Sequence, residues 1–310
     1  MMKSRISFSV IIFFFAAACH ATPAVPTAVP TPAPTPTPTF VPSKFGGSDI
    51  DVTYCTPDKQ PQKMDLYYPK SGGPWPVVIY VHGGSWVQGD KAEGVGWRSL
   101  NDSGFLVVSV NYRLATVDVK FPVMIEDIKC AVRYLRAHSA EYHLAPDRIG
   151  ALGASAGGHL AALLGTADAS AGWDVGEFPD PSSKVQAVVT LSGLSDFTVP
   201  INAAVAFSIY FAFGTLAGDP DPRMGAASPV TYITSDDPPF LIIHGDKDGT
   251  VPVEQATILN ERLAKAGVPS TLVIVKGAGH DLKGLNGLPT VPAAAEISAD
   301  ILNFLKKNLE

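Results

Sequence analysis

The sequence predicts an α/β fold with a mostly parallel central β-sheet, because buried-strand patterns alternate with helical patterns along most of the chain. Residues 77–81 form a continuous apolar run, as expected of a strand that is covered on both faces. A helix that packs on the sheet is indicated where apolar residues recur at positions i, i+3, i+4 and i+7, namely Ile128, Ala131, Val132 and Leu135. Helices are therefore expected on both faces of the sheet.

The other elements follow from their own apolar runs and helical patterns. Residues 51–55 and 63–68 predict an opening antiparallel pair of strands. Further buried strands are predicted at residues 105–110, 149–152, 185–191, 240–243 and 272–275. Helical patterns predict later helices at residues 253–266 and 292–305.

One segment, residues 197–227, interrupts this alternation after the strand that ends at Leu191. It is rich in aromatic residues, which lie close together in the sequence: Phe207, Tyr210, Phe211 and Phe213. Two interpretations are open. The insertion is either a small cap over the carboxyl ends of the strands or a plain helix packed on the domain.

Residues 1–18 predict a secretory signal peptide rather than part of the fold. Lys3 and Arg5 precede the apolar residues 6–15, and small residues suited to cleavage follow. The apolar run is too short to span a bilayer as a helix. The protein is therefore expected to be exported, either to the extracellular space or to the cell surface.

Ala16-Ala17-Ala18-Cys19 resembles the lipobox of bacterial lipoproteins, although that motif usually has Leu in place of Ala16. In this interpretation Cys19 is lipidated and tethers the protein to a membrane. The alternative is ordinary cleavage after Ala18 or Ala21. Residues 19–42 are rich in Pro and Thr and predict an extended linker, which leaves residues 43–310 as one folded domain.

The composition suits a single globular domain, since the 310 residues are 46% hydrophobic and 17% charged. The net charge is −6 and the sequence contains no basic cluster, which argues against a nucleic-acid partner. No group of Cys and His residues has the spacing of metal ligands. Neither a metal nor another cofactor is therefore expected.

Two cysteines fall within the predicted domain. Cys55 lies on a predicted strand and Cys130 on the buried face of a predicted helix, so two free buried thiols are expected. An exported protein also permits a disulfide between them, and this pairing stays open as the alternative.

Ser155 is the candidate nucleophile. It stands at the centre of Gly153-Ala154-Ser155-Ala156-Gly157, between the predicted strand 149–152 and a helix-forming stretch. A G-x-S-x-G pattern on a strand-to-helix turn is typical of a serine held on a strained backbone, where a tight turn requires small neighbours. The helix that follows also directs its positive end toward the site, which favours a developing negative charge.

A serine is weakly nucleophilic at neutral pH and needs a histidine base, which a carboxylate orients. His280 is the predicted base, because it lies just past the predicted strand 272–275. His159 is the competitor, but a histidine four residues after the serine is carried down the helix and is expected to be structural. His82 and His244 end strands directly before glycines and are interpreted as residues of tight turns.

The orienting acid is expected in the segment that follows the predicted strand 240–243. Asp246 and Asp248 both lie in this segment, and the spacing after the strand favours Asp248. Asp246 is the alternative, and is otherwise expected to stabilise the loop or to be solvated.

Backbone N–H groups that bind a developing oxyanion are expected at two places. One is Ala156, the residue after the nucleophile. The other is the glycine-containing loop 82–86, in which Gly84 and Ser85 are the predicted donors. Loss of one such donor typically costs about 2.7–4 kcal/mol of transition-state stabilisation.

These motifs, together with residues 111–114, make the chain resemble an α/β-hydrolase. His82-Gly83-Gly84-Ser85-Trp86 and Gly153-Ala154-Ser155-Ala156-Gly157-Gly158-His159 resemble the esterase branch that includes hormone-sensitive-lipase-like carboxylesterases and bifunctional acetyl-xylan/feruloyl esterases. The lipase-like members usually have a third glycine where this chain has Ser85, so this departure favours the acetyl-xylan/feruloyl type. The resemblance covers nearly all of residues 43–310 and implies a Ser-Asp-His triad.

The sequence thus predicts a serine-dependent carboxylic-ester hydrolase that works through an acyl-enzyme. Its expected substrates are acetyl or feruloyl esters of plant polysaccharide, or short-chain esters. An alternative is a peptide or amide hydrolase similar to prolyl peptidases or arylformamidases, which have the same triad. A non-catalytic binding module is disfavoured, since no triad residue is lost.

Several aromatic residues are candidates for a sugar or aromatic subsite, and equally for core packing. They are Trp86, Trp97, Trp173 and the aromatic residues of the insertion.

Overall fold

The computed structural model describes residues 44–310. The predicted signal peptide and the whole of the predicted linker, including Cys19, lie outside this range. Export and the lipidation of Cys19 therefore stay predictions. Within residues 44–310, no helix combines the length and the apolar character needed to cross a bilayer.

Eight strands form the sheet of the described chain: β1 (Ser48–Cys55), β2 (Gln62–Tyr67), β3 (Trp75–Val81), β4 (Leu106–Val110), β5 (Leu144–Ala154), β6 (Ala187–Leu191), β7 (Phe240–Gly245) and β8 (Ser270–Val275). Their order across the sheet is β1-β2-β4-β3-β5-β6-β7-β8. β1 pairs antiparallel with β2, and β2 with β4, while every other neighbouring pair is parallel. The predicted fold class is confirmed, including the opening antiparallel pair.

Six α-helices accompany the sheet in the described chain, namely α1 (Val123–Ala137), α2 (Ala156–Thr166), α3 (Ala203–Phe213), α4 (Pro222–Ala227), α5 (Glu254–Ala266) and α6 (Ala294–Leu309), and a longer 3-10 helix spans Lys91–Ser103. Successive residues of β3 face different cores. Ile79 packs in the core covered by α1, α2 and α5, whereas Val78 packs in the core covered by α6 and the 3-10 helix. The continuous apolar run of β3 is explained by this double covering.

The insertion at residues 197–227 forms the helices α3 and α4. The side chain of Asn202, just before α3, donates from Nδ2 to the carbonyl oxygen of Gly249 at 3.2 Å, in the loop after β7. Near the other end of α3, the N–H of Phe121 donates to the carbonyl oxygen of Ala212 at 3.0 Å. Both contacts are with segments that follow sheet strands. The insertion is therefore a packed pair of helices that reaches the carboxyl edge of the sheet.

The first described residues lie at the opposite edge, where the parallel strands begin. The N–H of Gly46 donates to the carbonyl oxygen of Pro69 at 2.9 Å. The ring of Phe45 packs edge-on against Trp75, the first residue of β3, with 5.5 Å between the ring centroids. At a rise of about 3.3 Å per residue, the length of β3 separates this start from the carboxyl edge by about 20 Å.

Cys55 and Cys130 form a disulfide, so the expectation of two free thiols is wrong. Cys55 is the last residue of β1 and Cys130 lies on α1, and their Cα atoms are 6.5 Å apart, within the usual disulfide range. The strand and the helix are both apparent in the sequence. Their proximity is not, because it depends on how α1 packs against β1 in the folded domain.

Because the disulfide joins residues 75 positions apart, it restricts a long loop of the unfolded chain. We expect the double variant Cys55→Ser/Cys130→Ser to lose about 2–4 kcal/mol of unfolding free energy, measured by urea denaturation. Dithiothreitol should lower the stability of the native protein to the level of the variant and leave the variant unchanged. Alkylation of both cysteines in the unreduced, denatured protein would contradict the disulfide.

Candidate active site

Ser155 lies on the turn between β5 and α2, at the carboxyl edge of the sheet. Its backbone has a positive φ angle in a sparsely populated region, with φ 55° and ψ −120°. A non-glycine residue in such a conformation costs about 1–3 kcal/mol, so the surrounding structure must hold it there. The N–H of Ser155 donates to the carbonyl oxygen of Leu191, the last residue of β6, at 2.8 Å. The turn leaves the serine partly exposed.

The two flanking glycines are required by close backbone packing. A Cβ on Gly153 would overlap the carbonyl group of Gly157 within the turn. A Cβ on Gly157 would overlap the carbonyl oxygen of Val81, where β3 ends. The G-x-S-x-G pattern is thus explained in physical terms, since any larger residue would push α2 away from the strand ends.

Asp248 and His280 meet beside β7 and β8. The Nδ1 of His280 donates to Oδ2 of Asp248 at 2.7 Å, and the carboxylate of Asp248 is fully buried. Oδ1 of Asp248 accepts the N–H groups of Thr250 and Val251 at 2.8 and 2.9 Å. These bonds fix the carboxylate in one orientation, with Oδ2 directed to the imidazole.

The charge state of Asp248 follows from these contacts. Burial alone would raise the pKa of this carboxyl group, because it disfavours the charged form. The hydrogen bonds from His244, His280 and the backbone act in the opposite direction and are stronger together, so the pKa of Asp248 lies well below its usual range. Asp248 is therefore an anion at neutral pH.

Asp246, the alternative acid, contacts a different part of the structure. Its Oδ1 accepts the N–H of Gly277 at 2.7 Å, and its Oδ2 lies 3.7 Å from Nζ of Lys247. It therefore joins the loop after β7 to the loop after β8. Of the two carboxylates, Asp248 is the one that contacts His280.

Ser155 and Asp248 follow β5 and β7, which are separated by β6 alone. This spacing corresponds to about 10 Å between the strand axes, which is wide enough for an imidazole between the two side chains. His280 is partly exposed, and Asp248 occupies its Nδ1, which leaves Nε2 for a second partner. No hydrogen bond within residues 44–310 joins Nε2 to Ser155, a bond that is often long in unliganded enzymes.

His159 is placed inside the core rather than at the edge. Trp86 donates from Nε1 to Nδ1 of His159 at 3.1 Å, and Nε2 of His159 donates to the carbonyl oxygen of Ala227 at 2.8 Å. Burial lowers the pKa of His159 to about 4, so the ring is neutral. Both ring nitrogens are occupied, which leaves neither one for Ser155.

The loop 82–86 lies directly against the nucleophile turn. A Cβ on Gly83 would lie 3.5 Å from Cβ of Ser155. Gly84 and Ser85 have positive φ angles of 97° and 55°, and no hydrogen bond among the described residues uses their N–H groups. Ala156 is the first residue of α2, where a backbone N–H has no acceptor within the helix. Three unused donors therefore lie close to Ser155.

The aromatic candidates divide between the core and the surface. Trp86 and Trp173 are buried and contact the rings of Phe213 and Phe121 respectively, with centroids 4.9 and 5.2 Å apart. Trp97 packs against Tyr80 on the other face of the sheet. The aromatic residues of the insertion with exposed rings are Phe207 and Tyr210.

The side chain of His244 contacts a residue of the candidate site, which the sequence does not predict. His244 was interpreted as a residue of a tight turn, but its side chain is fully buried and its Nε2 lies 3.2 Å from Oδ2 of Asp248. One signal for this contact is present in the sequence, because His244 lies at the end of a strand only four residues before Asp248.

Residues 64–263 match the family model BD-FAE, a range that includes Ser155 and Asp248. Esterase LipC of Mycobacterium tuberculosis is 34% identical over 251 residues, which cover 78% of this chain and 62% of LipC. The chain thus spans less than two thirds of the length of this curated relative.

Solved structures show the same similarity. A truncated form of a carbohydrate esterase from gut microbiota has a TM-score of 0.71 at 27% identity, covering 86% of this chain and 97% of that one. Esterase 2 of Thermogutta terrifontis, phosphorylated by paraoxon, has a TM-score of 0.65 at 26% identity, covering 83% and 91%. The predicted resemblance to α/β-hydrolase esterases is confirmed.

The packing of α2 on the strand ends leads to a prediction about stability. Gly157→Ala should lower the unfolding free energy by about 3 kcal/mol or more, because the new methyl group overlaps rigid backbone. Gly225→Ala is a matched control, since Gly225 lies in α4 with no atom near its missing Cβ, and its effect should stay within about 1 kcal/mol. Equal urea midpoints for the two variants would show that the turn tolerates a larger residue.

Proposed function

Because this chain belongs to the BD-FAE family and has the α/β-hydrolase fold, we propose that it is a serine-dependent carboxylic-ester hydrolase with Ser155, Asp248 and His280 as its triad. One observation carries the assignment of the residues. The buried Asp248 carboxylate holds His280 by a 2.7 Å hydrogen bond at the edge of the sheet where the strained turn presents Ser155. A carboxylate, an imidazole and a serine in this order are the elements of acyl transfer.

In the proposed reaction, Nε2 of His280 takes the proton of Ser155 as Oγ attacks the ester carbonyl carbon. The carbonyl oxygen becomes an oxyanion, and the N–H groups of Gly84, Ser85 and Ala156 are positioned to stabilise it. His280 then returns the proton to the departing alcohol, which leaves an acyl-enzyme on Ser155. Water, activated by the same imidazole, releases the acid in the second half of the reaction.

Asp248 has two roles in this scheme. Its bond to Nδ1 keeps the proton of the resting imidazole on that nitrogen, so the Nε2 lone pair is available to Ser155. Its negative charge stabilises the imidazolium that forms in the transition state. Both roles require an ionised carboxylate, which the depressed pKa of Asp248 provides.

We predict that Ser155→Ala lowers kcat/KM on p-nitrophenyl butyrate by at least about 10³-fold, and Asp248→Asn by about 10³- to 10⁴-fold. Asp246→Asn, the matched control, should lose less than about tenfold, because Asp246 does not contact His280. Melting temperatures would verify that all three variants fold.

Paraoxon identifies the nucleophile without assuming a natural substrate. Mass spectrometry should find one diethyl phosphate on the Ser155 peptide of the native protein and none in Ser155→Ala. Labelling of another residue, or full activity in a folded Ser155→Ala, would refute the assignment. A larger loss in Asp246→Asn than in Asp248→Asn would transfer the role of the acid to Asp246.

The proposed substrates are acetyl or feruloyl esters attached to polysaccharide outside the cell. Three observations support this proposal. The chain is similar to a structure described as a carbohydrate esterase, it has Ser85 where lipase-like relatives usually have glycine, and it begins with a predicted export signal. A tether through lipidated Cys19 would hold the enzyme near such a polymer.

Initial rates on acetylated xylan, methyl ferulate and p-nitrophenyl butyrate test the proposed specificity. We expect acetate or ferulate to be released within about tenfold of the rate on the model ester, and Ser155→Ala to release neither. Hydrolysis of p-nitrophenyl butyrate alone would leave a general carboxylesterase and refute the polysaccharide proposal.

A further inference from the structure

His244 is a second histidine on the carboxylate of Asp248. It lies in β7, one residue before the strand ends, and its side chain has no exposed surface. Its Nε2 lies 3.0 Å from the carbonyl oxygen of Val251 and 3.2 Å from Oδ2 of Asp248. Its Nδ1 is buried and has no hydrogen-bond partner within residues 44–310.

These contacts determine which ring nitrogen carries the proton. Two oxygen acceptors face Nε2, so an Nε2 lone pair would be repelled by both. A proton on Nε2 is instead attracted by both. Nδ1, by contrast, has no acceptor among the described residues. His244 therefore carries a proton on Nε2 and donates from it.

The donor from His244 completes the environment of Asp248. Oδ1 accepts two backbone N–H groups, from Thr250 and Val251, and Oδ2 accepts the imidazole N–H of His280. Oδ2 also lies 3.2 Å from Nε2 of His244, whose single N–H it shares with the carbonyl oxygen of Val251. A carboxylate has about four acceptor positions, and a donor faces each of them here. Two donors facing each oxygen oppose rotation of the carboxylate away from His280.

A histidine at this position costs free energy, because one of its ring nitrogens is buried without a partner, unless Nε2 makes a hydrogen bond that compensates. The unpaired Nδ1 acceptor is a buried polar atom of the kind that native structures seldom retain without a reason. An apolar side chain of similar size would avoid it. The advantage of His244 over such a side chain therefore lies in its Nε2–H, which faces Oδ2 of Asp248 and the carbonyl oxygen of Val251.

We infer that His244 is a positioning residue of the active site, which holds Oδ2 of Asp248 toward Nδ1 of His280. This inference rests on the proposed function, because it concerns the acid of the proposed triad. His244 acts through Asp248 and does not itself touch the substrate. Its removal should therefore lower kcat and leave KM unchanged.

The first test is independent of catalysis. Long-range ¹H–¹⁵N NMR of the ¹⁵N-histidine-labelled protein reports which nitrogen of each ring is protonated. We expect one buried histidine, assigned as His244 by its absence from the spectrum of His244→Gln, to carry its proton on Nε2 at neutral pH. A proton on Nδ1 would overturn the inference, whatever the activity of the enzyme.

The second test compares two substitutions at this position. His244→Leu removes the donor and should lower kcat on p-nitrophenyl butyrate by about 10- to 100-fold at constant KM. His244→Gln places an amide N–H near the position of Nε2 and should retain kcat within about threefold. Equal losses in a folded Leu variant and a folded Gln variant would show that ring packing, and not the donor, matters.

A double-mutant cycle separates positioning from general destabilisation. In an Asp248→Asn background, His244→Leu should lower kcat further by less than about threefold, because the carboxylate that it positions is already gone. Additive losses would overturn the inference. The paraoxon experiment distinguishes this outcome from a failure of the proposed function, since labelling at a residue other than Ser155 would refute the triad itself.

Discussion

The strained backbone at Ser155, with its positive φ angle, is the constraint on which the candidate site depends. It persists because α2 packs directly on strand backbone, where glycines remove each Cβ that would hold the helix away. Gly157 meets the end of β3, and Gly158 lies beside Gly193, which follows β6. The same helix supplies Leu160 and other residues to the larger core. The packing of this core and the position of Ser155 therefore depend on the same helix, and the energy of packing offsets the strain of the turn.

Asp248 is held in a different way, because a buried carboxylate needs hydrogen-bond donors to stabilise its negative charge. The Asp248 side chain has no exposed surface, and without partners it would bind a proton and lose its charge. Backbone N–H groups of its own loop bond to Oδ1, the imidazole of His280 bonds to Oδ2, and Nε2 of His244 lies 3.2 Å from Oδ2. Packing of α2 holds Ser155 in its strained conformation, whereas hydrogen bonds hold Asp248 and, through it, His280.

Much of this arrangement could be predicted from the sequence, because it depends on local patterns. The turn at Ser155 is encoded in five consecutive residues, and the apolar run of β3 reflects its double covering. The disulfide between Cys55 and Cys130 could not be predicted, since it requires the position of α1 relative to β1. The contact of His244 was missed for a similar reason. A histidine at the end of a strand has the same sequence context whether its side chain belongs to a tight turn or contacts a carboxylate. Only the folded structure shows which of the two applies.

The beginning of the described chain has a practical consequence for attaching the enzyme to a support. Phe45 and Gly46 are held by Trp75 and Pro69 at the edge where the parallel strands begin, about 20 Å from the edge that carries Ser155. A bead, an electrode or a fused protein joined ahead of Lys44 is therefore attached behind the sheet. The edge that carries Ser155 then faces away from the support, so a large molecule in the surrounding liquid can approach that edge without meeting the support.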